Sequence, residues 1–251
     1  MERDEYARMY ALEDHYWWFV GRRRLALGLV DRYAASVPQR RILDFGCGTG
    51  VVLGQLESTS GIAVGLDASS EALRFCRQRG LHRLVLGDGM VLPIRSGSVD
   101  AVVGLDVFEH LLDDQAAFGE VHRILTPGGV LVLSVPAFRS LWGPHDIALK
   151  HFRRYRRPEA EAKLRASGFE IVHSSYAVFY LFPLVLLSRV IEKLRPGPPH
   201  ASLPRVPEWL NRWLISLQTG EGRKIISGGR FAWGSSVIIV ARRSSQQGLT
   251  D

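Results

Sequence analysis

Cysteine is nearly absent from this chain of 251 residues: there are two, Cys47 in a glycine-rich turn and Cys76 in an expected helix. So small a number excludes a disulfide framework and fits a reducing compartment. No Cys/His cluster has zinc-site spacing, and no metal is expected. Long apolar runs are also lacking. The uncharged stretch Tyr176–Ser188 covers 13 residues and contains Pro183, whereas a membrane-spanning helix needs about 20. The N-terminal MERDEYARMY is charged where a signal peptide would be apolar. A cytoplasmic setting follows as an expectation, with a peripheral contact on the inner face of the membrane left open. Acidic residues are the minority, 25 against 32 lysines and arginines, for a formal charge of +7. Such a balance can attract nucleic acid, anionic lipid or a phosphorylated substrate, but it says nothing about fold.

What the chain does have is a large apolar share, 46%, enough for an extensive core. Residues 2–37 read as helical, with Tyr16, Trp17, Trp18, Phe19, Leu25, Leu27, Leu29 and Val30 clustered and Pro38 closing the segment. From Arg40 the rhythm changes. RILDFG, IAVGLD, LVLGD, VDAVVGLD and GGVLVLSVPA are short apolar runs separated by helical patterns, the alternation of a doubly wound parallel sheet. Ser69-Ser70 and Asp113-Asp114 supply capping oxygens for two of the helices. Pro127-Gly128-Gly129 is expected to end the second of these and turn into the next strand. Farther on come a basic, aromatic stretch (HFRRYRRP), a helix (PEAEAKLRASG), an apolar run beginning as a sixth strand, a proline-rich linker and a second helix. In that last helix Trp209, Leu210, Trp213, Leu214 and Leu217 share one face. SSVIIVAR is the final strand. The domain expectation is a helical cap over 1–38, a core over 39–137, an insertion over 138–234, and a last strand with a tail over 235–251.

The strongest motif is Asp44-Phe45-Gly46-Cys47-Gly48-Thr49-Gly50, a strand running into a glycine turn and then a helix. Glycines let a ligand approach the backbone, and a helix N-terminus offers free N–H groups. Nicotinamide enzymes use such turns too. Here, however, the spacing is G-x-G-x-G. Asp44 would repel a pyrophosphate but suits a sulfonium or ammonium cation. Asp67, at the end of the second strand, can take both hydroxyls of a ribose.

With these features the sequence resembles the class I S-adenosylmethionine (SAM)-dependent methyltransferases of the type 11 group, over residues 40–136. ILDFGCGTG, GLDAS, GDGMVLPI, VDAVVGLDVFEHL and LTPGGVLVLSVP stand in the order of that family's motifs. The resemblance implies a Rossmann-like, doubly wound, mostly parallel seven-stranded α/β sheet with helices on both faces, N-terminal helices and a C-terminal helical insertion. It implies SAM as cofactor and S-adenosylhomocysteine as product. The cofactor residues it implies are Asp44, Gly46, Cys47, Gly48, Gly50, Asp67, Ala68, Asp88 near the adenine amine, Gly89, Met90, Leu105, Asp106 and His110. HYWWFVGRRR and HFRRYRR also resemble a bacterial subgroup linked to cell-surface glycan or lipid pathways.

Methyl transfer to a hydroxyl needs the proton removed by a group within hydrogen-bond reach. His110, His145, Asp146 and His151 lie after the fourth and fifth strands, at the carboxyl edge where open α/β sheets bind ligands. His151, oriented by an Asp, is the leading base. Arg153, Arg154, Arg156 and Arg157 can hold a phosphate or carboxylate or form a solvated loop, and Trp17 and Trp18 can cap the pocket or pack on the core. The expected activity is O-methylation of a small-molecule, glycan or lipid-linked acceptor. An RNA methyltransferase is an alternative, weakened because Leu105-Asp106-Val107-Phe108 stands where base-methylating enzymes carry an (Asn/Asp)-Pro-Pro-aromatic motif. A SAM-binding partner protein without chemistry is another. The apolar helices near the C-terminus are open to three readings: a membrane surface, a lid, or the face of a homodimer.

Overall fold

The computed structural model describes residues 3–34, 39–59, 61–194 and 204–244. The sheet has seven strands in the order β3-β2-β1-β4-β5-β7-β6, numbered along the chain. They are β1 (Arg41–Phe45), β2 (Ile62–Asp67), β3 (Leu84–Leu86), β4 (Val99–Leu105), β5 (Leu125–Pro136), β6 (Phe169–Ala177) and β7 (Ser236–Arg243). The first five are parallel to one another, and β7 runs antiparallel between β5 and β6. The mostly parallel Rossmann-like sheet read from the motifs is therefore present.

Successive side chains on a strand face opposite ways, and two cores result. Leu43, Val102, Leu131, Leu133, Val237 and Ile239 point to one face and meet Phe118 and Val121 of α5 (Asp114–Ile124) and Leu164 of α7 (Arg157–Ala166). Ile42, Ala101, Val103, Val130, Val132 and Ile238 point to the other. They meet Leu29 of α2 (Trp17–Tyr33), Leu53 of α3 (Val51–Thr59) and Cys76 of α4 (Ser70–Gln78). Both expected caps are in place: Ser69 accepts from the Ala72 amide at 3.3 Å and Asp113 from the Ala116 amide at 3.0 Å.

Several expectations are corrected. The unbroken helical reading of residues 2–37 is interrupted at Glu13–Tyr16, which separates α1 (Arg3–Leu12) from α2; the N-terminal helices implied by the resemblance are both there. The start of α2 is set from far away, because the Asn211 side-chain oxygen accepts from the Trp17 amide at 2.9 Å. Pro38 lies outside the described residues. Helix α5 ends at Ile124, before Pro127, and residues 126–129 form an irregularity inside the β4–β5 pairing. The expected sixth strand is there, but as edge strand β6 it starts earlier than the apolar run, at Phe169; segment 138–234 also holds α6 (Pro144–Ala148), α7, α8 (Phe182–Leu194) and α9 (Glu208–Ile226). The expected stripe on α9 is split. Leu214 is buried, while Trp209 and Trp213 are 67% and 55% exposed.

Helix α9 packs lengthwise on α2. Gly21 and Gly28 allow the approach: a Cβ on Gly21 would fall 1.6 Å from the Gln218 side chain, and one on Gly28 would fall 2.3 Å from Ile226. Buried Glu221 of α9 accepts from the Val178 and Tyr180 amides at 2.5 and 3.2 Å, securing the exit of β6. No helix among the described residues is long and apolar enough to cross a membrane.

Candidate active site

Between β1 and β4 the strand order reverses, and there the carboxyl ends of the strands open into a crevice. A cavity of about 700 Å³ occupies it. It is closed from above by Tyr6 and Met9 of α1 and by Trp17, Trp18 and Arg22 of α2.

One end of the cavity is built on the glycine loop. Gly46 has φ +73°, and a Cβ there would lie 2.5 Å from Val107, so neither the turn nor the close approach admits a side chain. The Gly46 and Cys47 amides donate to the Leu66 carbonyl at 2.8 and 2.9 Å, tying the loop to β2. Asp67 accepts from the Gly48 and Ser69 amides, both at 2.9 Å, which fixes its carboxylate at the rim of the loop. Asp44 is buried and its Oδ2 has no partner. Burial, then the charges of Asp67 and Glu13, push the Asp44 carboxyl up to about 8. A buried carboxylate oxygen without a donor calls for a cationic or N–H-bearing ligand. The amino group of an amino-acid moiety meets that demand, with a ribose reaching Asp67, so these residues fit the SAM expected from the motifs.

Ala68, Gly89, Leu105 and Asp106 line the same cavity. Asp106 adopts φ +51°, unusual outside glycine. Its amide donates to the Ser134 carbonyl at 2.8 Å, its Oδ1 accepts from the Ser134 hydroxyl at 3.1 Å, and Arg22 pairs with its Oδ2. Not every expected residue reaches the cavity. Asp88 is exposed, and its carboxylate accepts from the Met90 amide at 2.9 Å in a local turn. Met90 and Gly50 are likewise absent from the wall, Gly50 facing Leu81 and Cys76 instead.

The other end gathers His110, His145 and His151. The His110 and His151 rings meet edge-on with centroids 4.6 Å apart. Asp146 is buried behind them, off the wall, so its part is to orient rather than to touch a ligand. Its Oδ1 lies 2.9 Å from His151 Nδ1 and accepts from Arg154 Nε at 2.8 Å, while its Oδ2 accepts from the Gly143 amide at 2.9 Å. Burial alone would raise the Asp146 carboxyl, but the hydrogen bonds from His151 and Arg154 outweigh it and hold it well below the usual range. With Nδ1 donating to that carboxylate, His151 presents the lone pair of Nε2. Burial, then His151, pushes His110 down to about 3; burial, then Arg189, pushes His145 down to about 4.

The arginines of HFRRYRR do not converge. Arg153 pairs with Asp114, Arg157 with Glu161, and Arg156 is exposed; Arg154 alone of the four lines the cavity, committed to Asp146. Trp17 and Trp18 do both things expected of them, lining the cavity and packing beside Leu214 and Val178.

Three residues went unread in the sequence. Arg22 sits beside Asp106. Glu13 is buried, bonded to the Thr49 hydroxyl and paired with Arg79 at 2.7 Å. Glu109 is fully buried on the cavity wall, next to His110, with no partner for either carboxylate oxygen outside its own residue. Burial pushes its carboxyl up to about 8. Its place in FEHL, just after the fourth strand, was the available signal.

Residues 43–133 match the family model described as a methyltransferase domain. A probable S-adenosylmethionine-dependent methyltransferase of Mycolicibacterium smegmatis is 31% identical over 172 residues, 67% of this chain and 64% of that protein. A malonyl-[acyl-carrier protein] O-methyltransferase of Serratia marcescens is 32% identical over 123 residues, 49% of this chain and 46% of that one. The chain thus spans less than two thirds of the curated relatives it matches. Among solved structures, a chain from the complex between the Haloferax volcanii Trm112 methyltransferase activator and a methyltransferase superposes with a TM-score of 0.60. It is 21% identical, covering 98% of this chain and 96% of that one, a likeness of fold. The matched domain runs from β1 to β5 and contains the glycine loop and Asp67; residues 43–133 are a class I SAM-dependent methyltransferase domain of the type 11 group.

Proposed function

We propose that this protein transfers the methyl group of SAM to a hydroxyl of a small-molecule, glycan or lipid-linked acceptor. The observation that carries the reading is a single cavity with the Asp44–Gly48 loop and Asp67 at one end and the Asp146–His151 pair at the other. Bound SAM supplies the electrophilic methyl sulfonium. The chain supplies position, dryness and a place for the proton. Asp44 takes the amino group, Asp67 the ribose, and the Gly46–Gly48 backbone lies along the ligand, with Ala68 and Gly89 beside it. Leu105 and Asp106 flank the methyl end. His151 Nε2 takes the acceptor proton, while Asp146 holds the ring in the required tautomer and favours the imidazolium that forms. His110 and His145, both neutral, receive and orient acceptor hydroxyls. The relatives named as O-methyltransferases support the choice of oxygen. The RNA reading loses support because the basic loop spends three of its four arginines, Arg153, Arg154 and Arg157, on the chain's own carboxylates.

The apolar surface of α8 supports a lipid-linked acceptor or a peripheral membrane contact. Leu184, Leu186, Leu187, Val190 and Ile191 are exposed in one short helix, while its Val185 and Ser188 line the cavity.

Calorimetric titration with SAM, and with NAD as control, tests the cofactor: micromolar SAM binding without NAD binding is expected. With labelled methyl and an acceptor found by screening, His151→Ala lowers turnover about 100-fold or more with SAM affinity unchanged. Unchanged turnover removes His151 as the base, and NAD binding in place of SAM removes the whole reading.

A further inference from the structure

Glu109, His110 and His151 each offer a ligand atom, and those atoms lie within 4.8 Å of one another. We propose that these three side chains form a binding site for a divalent transition-metal ion, of which zinc is the representative, on the wall of the cavity.

The donor set is two imidazoles and one carboxylate. Three protein ligands of this kind, with a position left open to the cavity, are a standard arrangement for a reactive zinc ion. Metal–ligand bonds of about 2.0–2.2 Å place ligand atoms roughly 3–3.5 Å apart. The side chains need close in by only an ångström or so.

The surroundings point the same way. Glu109 is fully buried, and neither of its oxygens has a partner outside its own residue. Arg22 and Arg154 favour its charged form through space, but no arginine among the described residues pairs with it. Arg22 pairs with Asp106, Arg154 with Asp146 and Arg189 with Glu192. Each of these arginines is bonded to another carboxylate, which leaves Glu109 without a bonded cation. A buried carboxylate persists when it is paired or coordinates a metal.

One of the two imidazoles is held as metal ligands usually are. His151 Nδ1 lies 2.9 Å from the Asp146 carboxylate, which leaves Nε2 as the ligating nitrogen. An outer partner of this kind orients a ligand before the ion arrives. His110 stands edge-on to His151, with ring centroids 4.6 Å apart.

The consequence for chemistry, but not the binding itself, rests on the methyl-transfer reading. An ion in this site offers its open position to the acceptor hydroxyl and lowers the pKa of that hydroxyl. The O–H bond then breaks with the proton passing to water. The O–CH3 bond forms as the S–CH3 bond breaks, and the electron pair stays on sulfur as a neutral thioether. Metal-free protein uses the lone pair of His151 Nε2 for the proton instead.

The test is zinc titration by calorimetry on untagged, EDTA-treated, full-length protein, with cobalt absorption as a second readout. One zinc per chain is expected, with a dissociation constant of about 10 μM or tighter and the intense visible bands of low-coordinate cobalt. Glu109→Gln, close to isosteric, and His110→Ala each weaken zinc binding about 10-fold or more, and circular dichroism verifies that both remain folded. His122→Ala, on α5 against Phe169, leaves it unchanged. Absence of zinc binding in the wild type, binding that survives both Glu109→Gln and His110→Ala, or loss in His122→Ala overturns the site. Failure of SAM to bind removes the methyl-transfer reading and leaves the zinc result standing. Failure of zinc to bind leaves the SAM and His151 tests untouched.

Discussion

Asp44, the last residue but one of β1, has one oxygen unpartnered in a buried, acidic corner. Burial, then the charges of Asp67 and Glu13, raise its carboxyl from an ordinary 3.8 to about 8. For a group raised in the folded state, the stability it contributes is fully present below the ordinary value and is lost as pH rises through about 8. Asn at the same place carries no such loss. Asp44→Asn should therefore raise the melting temperature of the ligand-free protein by a few degrees at pH 9, at about 2–4 °C per kcal/mol for a chain of this size, and by less at pH 5. The same change should weaken SAM binding, because a cation loses a charged acceptor worth about 1.5–3 kcal/mol. Calorimetric melts at the two pH values and a SAM titration check both halves; equal melting shifts at pH 5 and 9 would remove the buried-charge account. Asp44 and Asp67 were legible from sequence because strand and glycine turn are adjacent in the chain and fix where their carboxylates lie. Glu109 and Arg22 were not. Their meaning depends on which groups lack or find a partner, which is a property of the folded site.

At the scale of elements, the N-terminal cap is pinned to the cofactor loop by one buried knot. Glu13, in the turn between α1 and α2, meets the Thr49 hydroxyl, while Arg79 of the α4 exit pairs with Glu13 and donates to the Thr49 carbonyl at 2.9 Å. Met9 of α1 lies over Gly48, where a Cβ would come within 2.8 Å of its methyl group. Glu13→Ala strips Arg79 of its buried partner. Breaking a buried pair in this way costs about 3–5 kcal/mol, reduced here because exposed Asp14 also reaches Arg79 at 2.9 Å. The expected result is faster SAM dissociation by stopped flow and quicker proteolysis between α1 and α2. If both rates match the wild type, the knot is not what holds the cap. Periodicity identified these residues as helical but missed the break at Glu13–Tyr16. The capping oxygen for α2 comes from Asn211, almost two hundred positions away, and local propensity carries no trace of it.

Over the whole molecule, positive charge and exposed apolar surface are distributed differently. Most arginines near the cavity are paired, whereas α8 exposes its leucines, Leu184 at 62%, and the tryptophans Trp209, Trp213 and Trp233 are also open to solvent. If the proposed membrane contact is real, the protein should co-sediment with vesicles containing anionic phospholipid. Replacing Leu186 and Leu187 with Glu should reduce the bound fraction several-fold, since each buried leucine contributes about 1.5–3 kcal/mol. Equal sedimentation of variant and wild type would assign α8 to a lid or to a second copy, which sedimentation velocity distinguishes. Deleting α9 is a poor test of the same point, because α9 packs on α2 through Gly21 and Gly28 and its loss would unfold the cap.

The sequence by itself determined the α/β class, the order of the parallel strands' motifs, the two helix caps and the cofactor turn. Each is governed by interactions within a few residues, or by the two-residue period that sorts a buried strand between two faces. The direction of β7, inserted antiparallel between β5 and β6, was decided by tertiary structure, as was the dispersal of the HFRRYRR arginines onto separate carboxylates. So was the meeting of Glu109, His110 and His151. Those outcomes depend on which segments share space at the carboxyl edge of the sheet. Chain spacing does not encode that, because loops of very different length end at the same crevice.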